Sequence, residues 1–206
     1  MIGFIVVLLM SSLRIAIIAE DDTDCDAIRK IVHRVLDENI STKKWAFKGC
    51  GILKRKLPAK IKVLSQEGCN AFVILHDLDR NPQNGSLNNE SELRKTLEKS
   101  ISSFQGINKH ICIPIEELEA WFWSDPEVIK YVGRGNGQAK ANPHAILKPK
   151  EKLLKLSIGE NRKPHYSTNM NAELAAMLNL SNSHYGKRKE AGMITEIKEE
   201  TPDVKQ

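Results

Sequence analysis

Acidic side chains stand directly after two apolar segments of the chain, a position from which they could bind a metal ion. Asp77 and Asp79 follow the segment 70–76, and Glu20 follows the segment 13–19. In an extended chain, side chains two positions apart point to the same side, so both aspartates would face one site. Carboxylate oxygens are hard ligands that suit Mg²⁺ or Mn²⁺, ions that keep waters for a substrate. The sequence therefore predicts a metal site with Glu20, Asp77 and Asp79 as ligands and catalytic residues.

A third acidic group, formed by Glu116, Glu117 and Glu119, follows the apolar segment 107–115. We expect these residues to open a helix, with Glu116 and Glu119 on one face and Glu117 in line with Trp121. Acids in the first turn of a helix also favour its dipole, so at most two of the three are needed as ligands. One or two of them would complete the metal site. Glu117 and Glu119 are the candidate ligands, and Glu119 is also a candidate catalytic residue.

Basic side chains are concentrated between Arg134 and Lys163, where eight basic residues stand against two acidic ones. This segment carries a net charge of +6, whereas the whole chain carries +5. A local basic surface favours a polyanionic partner such as nucleic acid, with a solvated helix face as the alternative. The candidate nucleic-acid-binding residues are Lys148, Lys150, Lys152, Lys155, Arg162 and Lys163. Lys152 is the candidate catalytic cation that would balance charge in the transition state, with Lys150 as the alternative.

The elements that would position these residues are strands and helices in alternation. Apolar segments predict strands at 13–19, 44–48, 70–76 and 107–115. Helical patterns predict helices after Asp24, over 58–64 behind Pro58, over 90–102 and from Glu116 onward. This alternation is typical of an α/β fold with a mainly parallel sheet flanked by helices. Because ligands bind beyond the carboxyl ends of such strands, acids from distant parts of the chain would meet at one edge.

Two further groups of residues have structural explanations. The acids from Asp21 to Asp24 suit the start of the first predicted helix, where Asp22, Thr23 and Asp24 are good cap residues. They are therefore assigned to capping rather than to the metal. The aromatic run from Trp121 to Trp123 is predicted to lie in the core or an interface, with base stacking as the less economical alternative.

Three segments together resemble a known family. Ile15–Glu20, the sequence Asp77-Leu78-Asp79 and Ile115–Trp121 look like the motifs of a Toprim-type catalytic domain. Within that group the chain is most similar to small stand-alone Toprim-like proteins that resemble the nuclease half of OLD proteins. The resemblance covers residues 13–180, although Asp21 stands where a glycine is usual. It implies an endonuclease that needs Mg²⁺ or Mn²⁺ and cleaves nucleic acid beside an ATPase partner in phage or mobile-element defence. We expect DNA before RNA as the substrate, although no residue distinguishes the two.

The sequence divides into four predicted parts. Residues 1–12 form an apolar extension, 13–132 the Toprim-like catalytic core, 133–180 a basic helical region and 181–206 a charged tail that we expect to be flexible. The extension lacks the basic leader and cleavage site of a signal peptide and is too short to span a bilayer. We therefore expect Met10 to be the natural start, with a membrane anchor as the lesser alternative.

Composition and cysteine usage describe the expected setting of the protein. Hydrophobic residues make up 41% and charged residues 28% of the chain, a balance typical of globular proteins rather than disordered or fibrous ones. The four cysteines form no CxxC pair, which argues against a zinc site and a disulfide framework. These features favour a reducing, cytoplasmic setting without a membrane. A homo-oligomer is compatible with the sequence, which does not determine the oligomeric state.

Two other functions compete with the nuclease. The sequence Ala19–Asp22 after a strand resembles the opening of a receiver-like Mg²⁺-binding signalling domain, in which Asp77 would accept a phosphoryl group. Asp21 and Asp77 are 56 positions apart, which is long for such a compact fold, and no Lys-Pro follows a late strand in the right place, where Ile113–Glu116 stands instead. The third class is a non-catalytic nucleic-acid-binding subunit that uses the basic segment and whose acids are structural.

Overall fold

A computed structural model of the chain describes residues 13–36, 39–81, 83–158 and 163–180. The predicted extension 1–12, the predicted tail 181–206 and Arg162 lie outside these described residues. Within the described ranges the chain forms a four-stranded sheet with helices on both faces.

The sheet is parallel throughout, with strand order β2-β1-β3-β4. Its strands are β1 (Arg14–Ala19), β2 (Ser41–Ala46), β3 (Ala71–Leu75) and β4 (Asn108–Cys112). The central strands β1 and β3 are buried on both faces, which is why they read as continuous apolar runs rather than alternating ones. The second strand begins earlier than the predicted 44–48, because it pairs with β1 from its first residue onward. The predicted α/β fold with a mainly parallel sheet is confirmed.

Helices cover both faces of this sheet. The described helices are α1 (Asp22–Val35), α2 (Cys50–Gln66), α3 (Glu90–Ser100), α4 (Glu119–Phe122), α5 (Pro126–Val132), α6 (Pro149–Ile158) and α7 (Asn171–Met177). Side chains of β1 alternate between two cores: Ile15 and Ile17 pack under α1 and α4–α7, whereas Ala16 and Ile18 pack under α2 and α3. Leu153 of α6 and Leu174 of α7 belong to the first of these cores. The predicted helical C-terminal portion therefore shares its core with the sheet.

Helix α2 differs from the prediction at its start. The sequence predicts a short helix that Pro58 opens, but α2 runs from Cys50 to Gln66 with Pro58 in its interior. Four apolar side chains on one stripe hold it to the sheet, each fully buried: Leu53, Leu57, Ile61 and Leu64. Their burial is worth roughly 6–12 kcal/mol, which exceeds the ~3 kcal/mol that a proline costs inside a helix.

The helix predicted from Glu116 begins only at Glu119. Glu116 has a φ of 64°, so the expectation that it shares a helix face with Glu119 is wrong. The backbone departs from helical geometry here because β3 and β4 continue to pair beyond their ends. Leu78 N donates to Pro114 O at 2.9 Å, and Glu116 N donates to Leu78 O at 3.2 Å. These bonds carry the chain past the edge of the sheet before α4 can start.

The aromatic run lies in the core, as predicted. Trp121, Phe122 and Trp123 are all buried, and the Nε1 atom of Trp123 donates to the carbonyl of Pro149 at 3.1 Å. That bond ties α4 to the start of α6. The alternative of base stacking is wrong, because these rings are enclosed by the protein.

Two findings bear on the expected setting of the protein. No helix within the described ranges is long and apolar enough to cross a membrane. None of the four cysteines, Cys25, Cys50, Cys69 and Cys112, forms a disulfide bond. Cys25 is buried, and burial raises the pKa of its thiol to about 12, so it lacks the character of a nucleophile.

Candidate active site

Two strand ends that bear carboxylates lie side by side at the carboxyl edge of the sheet. β1 is followed directly by Glu20, and its neighbour β3 leads through His76 to Asp77. Since β2 and β3 flank β1 on opposite sides, the connections of the chain diverge at this point and leave a crevice. Parallel α/β sheets bind their ligands at crevices of this kind.

One oxygen of each carboxylate is buried and has no hydrogen-bond partner among the described residues, namely Oε1 of Glu20 and Oδ1 of Asp77. Burial, and then the charges of Asp24 and Glu20, raise the pKa of Asp77 well above its usual value. Burial, and then the charge of Asp79, raise the pKa of Glu20 to about 7. Buried carboxylates without partners are unfavourable unless they bind a proton or a cation. The crevice therefore attracts positive charge.

His76 does not supply that charge. Its Nδ1 atom lies 3.3 Å from Oε1 of Glu20 but hydrogen-bonds to the carbonyl of Asp77 at 2.8 Å. Because a carbonyl can only accept, Nδ1 carries a proton and donates it there. Burial lowers the pKa of His76, so the ring is neutral at pH 7. His76 fixes the backbone of the strand end and adds no positive charge beside Glu20.

Asp79 stands at the mouth of the crevice. Its side chain is exposed, whereas Leu78 between the two aspartates is buried. Cys50, the first residue of α2, lies close by, since burial and then the charges of Glu20 and Asp79 raise the pKa of its thiol. The site therefore opens toward the start of α2.

Asp24 joins the site, although the sequence assigns it to capping. The cap of α1 is Asp21, whose Oδ1 atom accepts from Asp24 N at 2.9 Å and from the Thr23 hydroxyl at 2.8 Å. Asp24 is 5% exposed, and burial, then the charges of Asp21 and Glu119, raise its pKa to about 8. An acid in the first turn of the helix after β1 faces the carboxyl edge of the sheet. Its place in the first turn of the helix after β1 is the feature of the sequence that could have identified Asp24 as a residue of the site.

Glu119 is buried and held by two residues from the far end of the chain. The Tyr166 hydroxyl donates to Oε1 of Glu119 at 2.9 Å, and the Asn171 side-chain amide donates to the same oxygen at 3.1 Å. These bonds fix the orientation of the carboxylate. Neither Tyr166 nor Asn171 is identified from the sequence, because no local pattern links them to a residue some fifty positions earlier.

Lys150 is the cation of the site. Its ammonium nitrogen lies 3.7 Å from Glu117 Oε1 and 3.9 Å from Glu119 Oε1, and its backbone N–H donates to Glu117 Oε2 at 3.0 Å. Burial acts to lower the pKa of Lys150, but the charges of Glu119 and Glu117 outweigh it and raise that pKa. Lys152, the candidate catalytic cation, is instead exposed on α6. Residues two apart on a helix lie about 200° apart around its axis, so only one of the two can face the carboxylates.

Glu116 connects three segments around the site and does not face the crevice as a ligand. Its Oε1 atom accepts from the guanidinium of Arg80, and its Oε2 atom accepts from the backbone N–H of Lys148 at 2.5 Å. Arg80 also donates to the carbonyl of Gly85 at 3.0 Å. Glu116 thus joins the loop after Asp79, the turn before α4 and the start of α6.

Replacing Glu116 with glutamine should lower the free energy of unfolding by about 1–3 kcal/mol, because Arg80 would lose its ion-pair partner while partly buried. The melting temperature should fall by roughly 2–10 °C at pH 7, as followed by circular dichroism. The matched control is Glu98→Gln, at an exposed position of α3, which should melt like the wild type. Equal melting of the two variants would show that the ion pair does not stabilise the protein.

No protein-family model, curated protein or solved structure matches this chain. Its function must be inferred from its own residues. The resemblance of the sequence to Toprim domains therefore stays a prediction.

The predicted metal ligands divide into two groups. As the side chains stand, no three or more His, Cys, Asp or Glu residues within the described ranges form a group that could hold a metal ion. Glu117 and Glu119 already accept hydrogen bonds from Lys150, Tyr166 and Asn171. The strand-end acids are different, because Glu20 and Asp77 each present a buried oxygen that lacks a partner in the described chain. Hard oxygen donors of this kind fit Mg²⁺ or Mn²⁺.

The predicted nucleic-acid-binding residues lie on or beside α6. Lys148 directly precedes this helix, and Lys152 and Lys155 lie on it, all three with exposed side chains. Lys163 is exposed beyond the helix, whereas Lys150 turns toward the carboxylates. Lys152 and Lys155 share one outward face of α6. Lys148 lies before the helix with a φ of 51°, so the helical spacing does not extend to it, and its ammonium lies 4.0 Å from Glu151 Oε1.

Proposed function

We propose that the protein is a nuclease that uses Mg²⁺ or Mn²⁺ to hydrolyse phosphodiester bonds in nucleic acid. The observation that carries this proposal is the pair of buried carboxylate oxygens of Glu20 and Asp77 at the crevice between β1 and β3, which lack partners in the described chain. A site that requires positive charge at the usual ligand position of a parallel sheet supports a metal-dependent reaction. The resemblance to Toprim domains favours phosphodiester hydrolysis among such reactions.

The strand-end acids and Lys150 have different tasks in this proposal. Glu20, Asp77 and Asp79 would hold the cation, which supplies an activated water and stabilises charge on the phosphate. Lys150 would balance the negative charge that develops on the phosphate in the transition state. Glu119 holds Lys150 near the site, and its own orientation is fixed by hydrogen bonds from α7 and the segment before it.

The proposed partner is nucleic acid, because exposed lysines on α6 and directly before it would attract a polyanion. We place DNA before RNA as the substrate. On the strength of the resemblance, we expect an ATPase encoded nearby to act with the protein in defence against phage or mobile elements. The proposed location is the cytoplasm, with which four free thiols agree.

A cleavage assay tests the proposal. Supercoiled plasmid and labelled single- and double-stranded DNA and RNA are incubated with the protein in Mg²⁺, Mn²⁺ or EDTA. We expect cleavage of at least one substrate with metal and none in EDTA. The same ions should raise the melting temperature of the protein, because they bind the native state. Cleavage that persists in EDTA, or a melting temperature that neither ion changes, would contradict the proposal.

Binding of nucleic acid should depend strongly on salt if the face of α6 contacts phosphates. The triple variant Lys148→Gln/Lys152→Gln/Lys155→Gln removes three exposed charges. It should lower the slope of log affinity against log salt by about two to three, since each phosphate contact adds about 0.7–0.9. Fluorescence anisotropy with a labelled oligonucleotide measures this slope in EDTA. An unchanged slope would remove α6 from the binding surface.

A receiver-like signalling function is less well supported. The acids that it would use after β1 are engaged elsewhere, since Asp21 caps α1 and Asp22 forms a salt bridge with Lys44 at 2.8 Å. Acetyl phosphate should therefore leave Asp77 unmodified, as intact-mass measurement would show. A non-catalytic binding subunit is distinguished by the metal titration, because structural acids would not raise the melting temperature when Mg²⁺ is added.

A further inference from the structure

A second basic segment of the chain has no role in the proposed function so far. Residues 39–66 contain eight lysines and arginines and no acidic residue, so this segment is more positive than 134–163. Lys43 and Lys44 form salt bridges with neighbouring carboxylates. The other six cations form no salt bridge with any described residue: Lys48, Lys54, Arg55, Lys56, Lys60 and Lys62.

Most of these cations lie on the outer face of α2. The inner face of the helix is fully buried against the sheet, whereas Lys54, Arg55, Lys56 and Lys62 are exposed. Trp45, on the edge strand β2, lies beside them. We use the term α2 surface for Trp45, Lys48 and the cations of α2.

Trp45 is an aromatic ring placed among positive charges. The ammonium of Lys60 lies 3.1 Å from the centroid of its ring, and 42% of the residue remains exposed. A large exposed ring beside cations is the combination with which proteins bind nucleic-acid strands, because bases stack on the ring while cations contact phosphates.

The α2 surface begins at the carboxylate crevice. Gly49, the N-cap residue of α2, donates its backbone N–H to the carbonyl of Glu20 at 3.4 Å, and Phe47 N donates to Ala19 O at 2.9 Å. The helix therefore starts beside the strand end that bears Glu20, and Lys54 lies one turn later. The helix has 17 residues and is therefore about 25 Å long. A strand that lay along it would reach the crevice at the amino end of the helix.

We propose that the α2 surface binds a strand of nucleic acid and leads it to the crevice. This role rests on the proposed function, which it deepens by naming where the substrate lies. Phosphates contact the exposed cations of α2, and a base stacks on the free part of the Trp45 ring.

An anionic membrane would also be attracted by this charge, but α2 is poorly suited to it. A helix that binds at a membrane surface inserts an apolar face into the lipid. The apolar face of α2 is committed to the core, and Val63 is the large apolar side chain that the helix exposes. A site that binds a nucleic-acid strand needs positive charge and an aromatic ring for stacking, and the α2 surface has both.

The test measures binding of a labelled single-stranded 20-mer, as DNA and as RNA, by anisotropy in EDTA over a series of salt concentrations. The variant Arg55→Gln/Lys56→Gln/Lys62→Gln removes three exposed charges from α2. It should weaken binding at least tenfold and lower the salt slope by about two to three. The matched control, Lys30→Gln/Lys99→Gln/Lys130→Gln, removes the same charge from α1, α3 and α5. It should bind within about threefold of the wild type.

A second variant separates stacking from charge. Trp45→Leu should weaken binding about tenfold and leave the salt slope unchanged, because it removes a ring and no charge. Oligonucleotide should also quench the fluorescence of the wild type more than that of this variant, since Trp121 and Trp123 are buried. Equal quenching in both proteins would overturn the stacking contact.

The outcomes distinguish this role from the nuclease activity. If the α2 variant binds and cleaves like the matched control, the binding role proposed for the α2 surface is wrong, and the proposed nuclease activity is unaffected. If the α2 variant binds more weakly as expected, but the wild type cleaves nothing and binds no metal, the α2 surface is supported as a binding site and the proposed nuclease activity is wrong. If the wild type binds phosphatidylserine vesicles through α2 and no oligonucleotide, the surface belongs to a membrane and the inference is overturned.

Discussion

The variant Asp77→Asn should lose metal-dependent cleavage by a factor of roughly 10³ or more while it keeps its fold. The side chain of Asp77 ends at the crevice with one oxygen buried and unpartnered in the described chain, and neighbouring carboxylates repel its charge. Asparagine has the same shape without the charge, so the repulsion falls while the metal site loses its central ligand. The apo variant should therefore melt at the same temperature as the apo wild type or slightly above it.

Metal-dependent stabilisation provides the second measurement on this variant. A ligand at one hundred times its dissociation constant stabilises the native state by about 2.7 kcal/mol, which raises the melting temperature by roughly 5–10 °C. Wild-type protein should show this shift with Mg²⁺ or Mn²⁺, and Asp77→Asn should show little of it. The control is Asp22→Asn, an exposed acid in the first turn of α1, which should cleave and respond to metal like the wild type. If Asp77→Asn cleaves normally or fails to fold, Asp77 is structural.

The strand-end acids could be predicted from the sequence because their placement follows from local structure. An apolar run that ends in acids predicts a buried parallel strand whose carboxyl end bears them, and the sheet then brings these ends together. Glu20 and Asp77 could therefore be identified from the segments around them alone. The same reasoning failed for Glu116, because its contact with Leu78 continues the pairing of β3 with β4, which no local pattern encodes.

The remaining parts of the candidate site depend on contacts between distant segments. Lys150, Tyr166 and Asn171 approach Glu119 only because α6 and α7 pack into the same core as β1. Spacing within the sequence could not select Lys150 over Lys152, since the orientation of α6 about its axis is set by that packing. The basic segment 39–66 is a different case, because its charge is visible in the sequence, whereas the position of α2 beside the crevice depends on the fold.

The apo protein should become less stable between pH 6.5 and pH 8.5, which is the reverse of ordinary acid denaturation. The pKa of Asp24 is about 8 and that of Glu20 about 7, mainly because both are buried, and Asp77 is shifted in the same direction. These groups hold protons in the folded state that they release in the unfolded state, so the stabilisation is lost as pH rises through the folded values. Histidines with lowered pKa values are partly charged in the unfolded state near pH 6.5 and therefore oppose the trend weakly there, but above about pH 7.5 they are neutral in both states.

Asp24 and Glu20 together should account for a loss of about 2–3 kcal/mol, or roughly 5–10 °C in melting temperature, with Asp24 contributing more than Glu20. Asp77, whose pKa is shifted in the same direction, adds to this loss. Asp24→Asn should flatten the profile in part, because it removes a carboxyl whose pKa is about 8, and Asp22→Asn should leave the profile unchanged because that side chain is exposed. Saturating Mg²⁺ should also flatten the wild-type profile, since a cation replaces the protons as the source of positive charge. Melting curves at pH 6.5, 7.5 and 8.5, with and without Mg²⁺, measure all three effects. A flat wild-type profile in EDTA would mean that the crevice acids are already compensated, which would remove the reason for a cation to bind there.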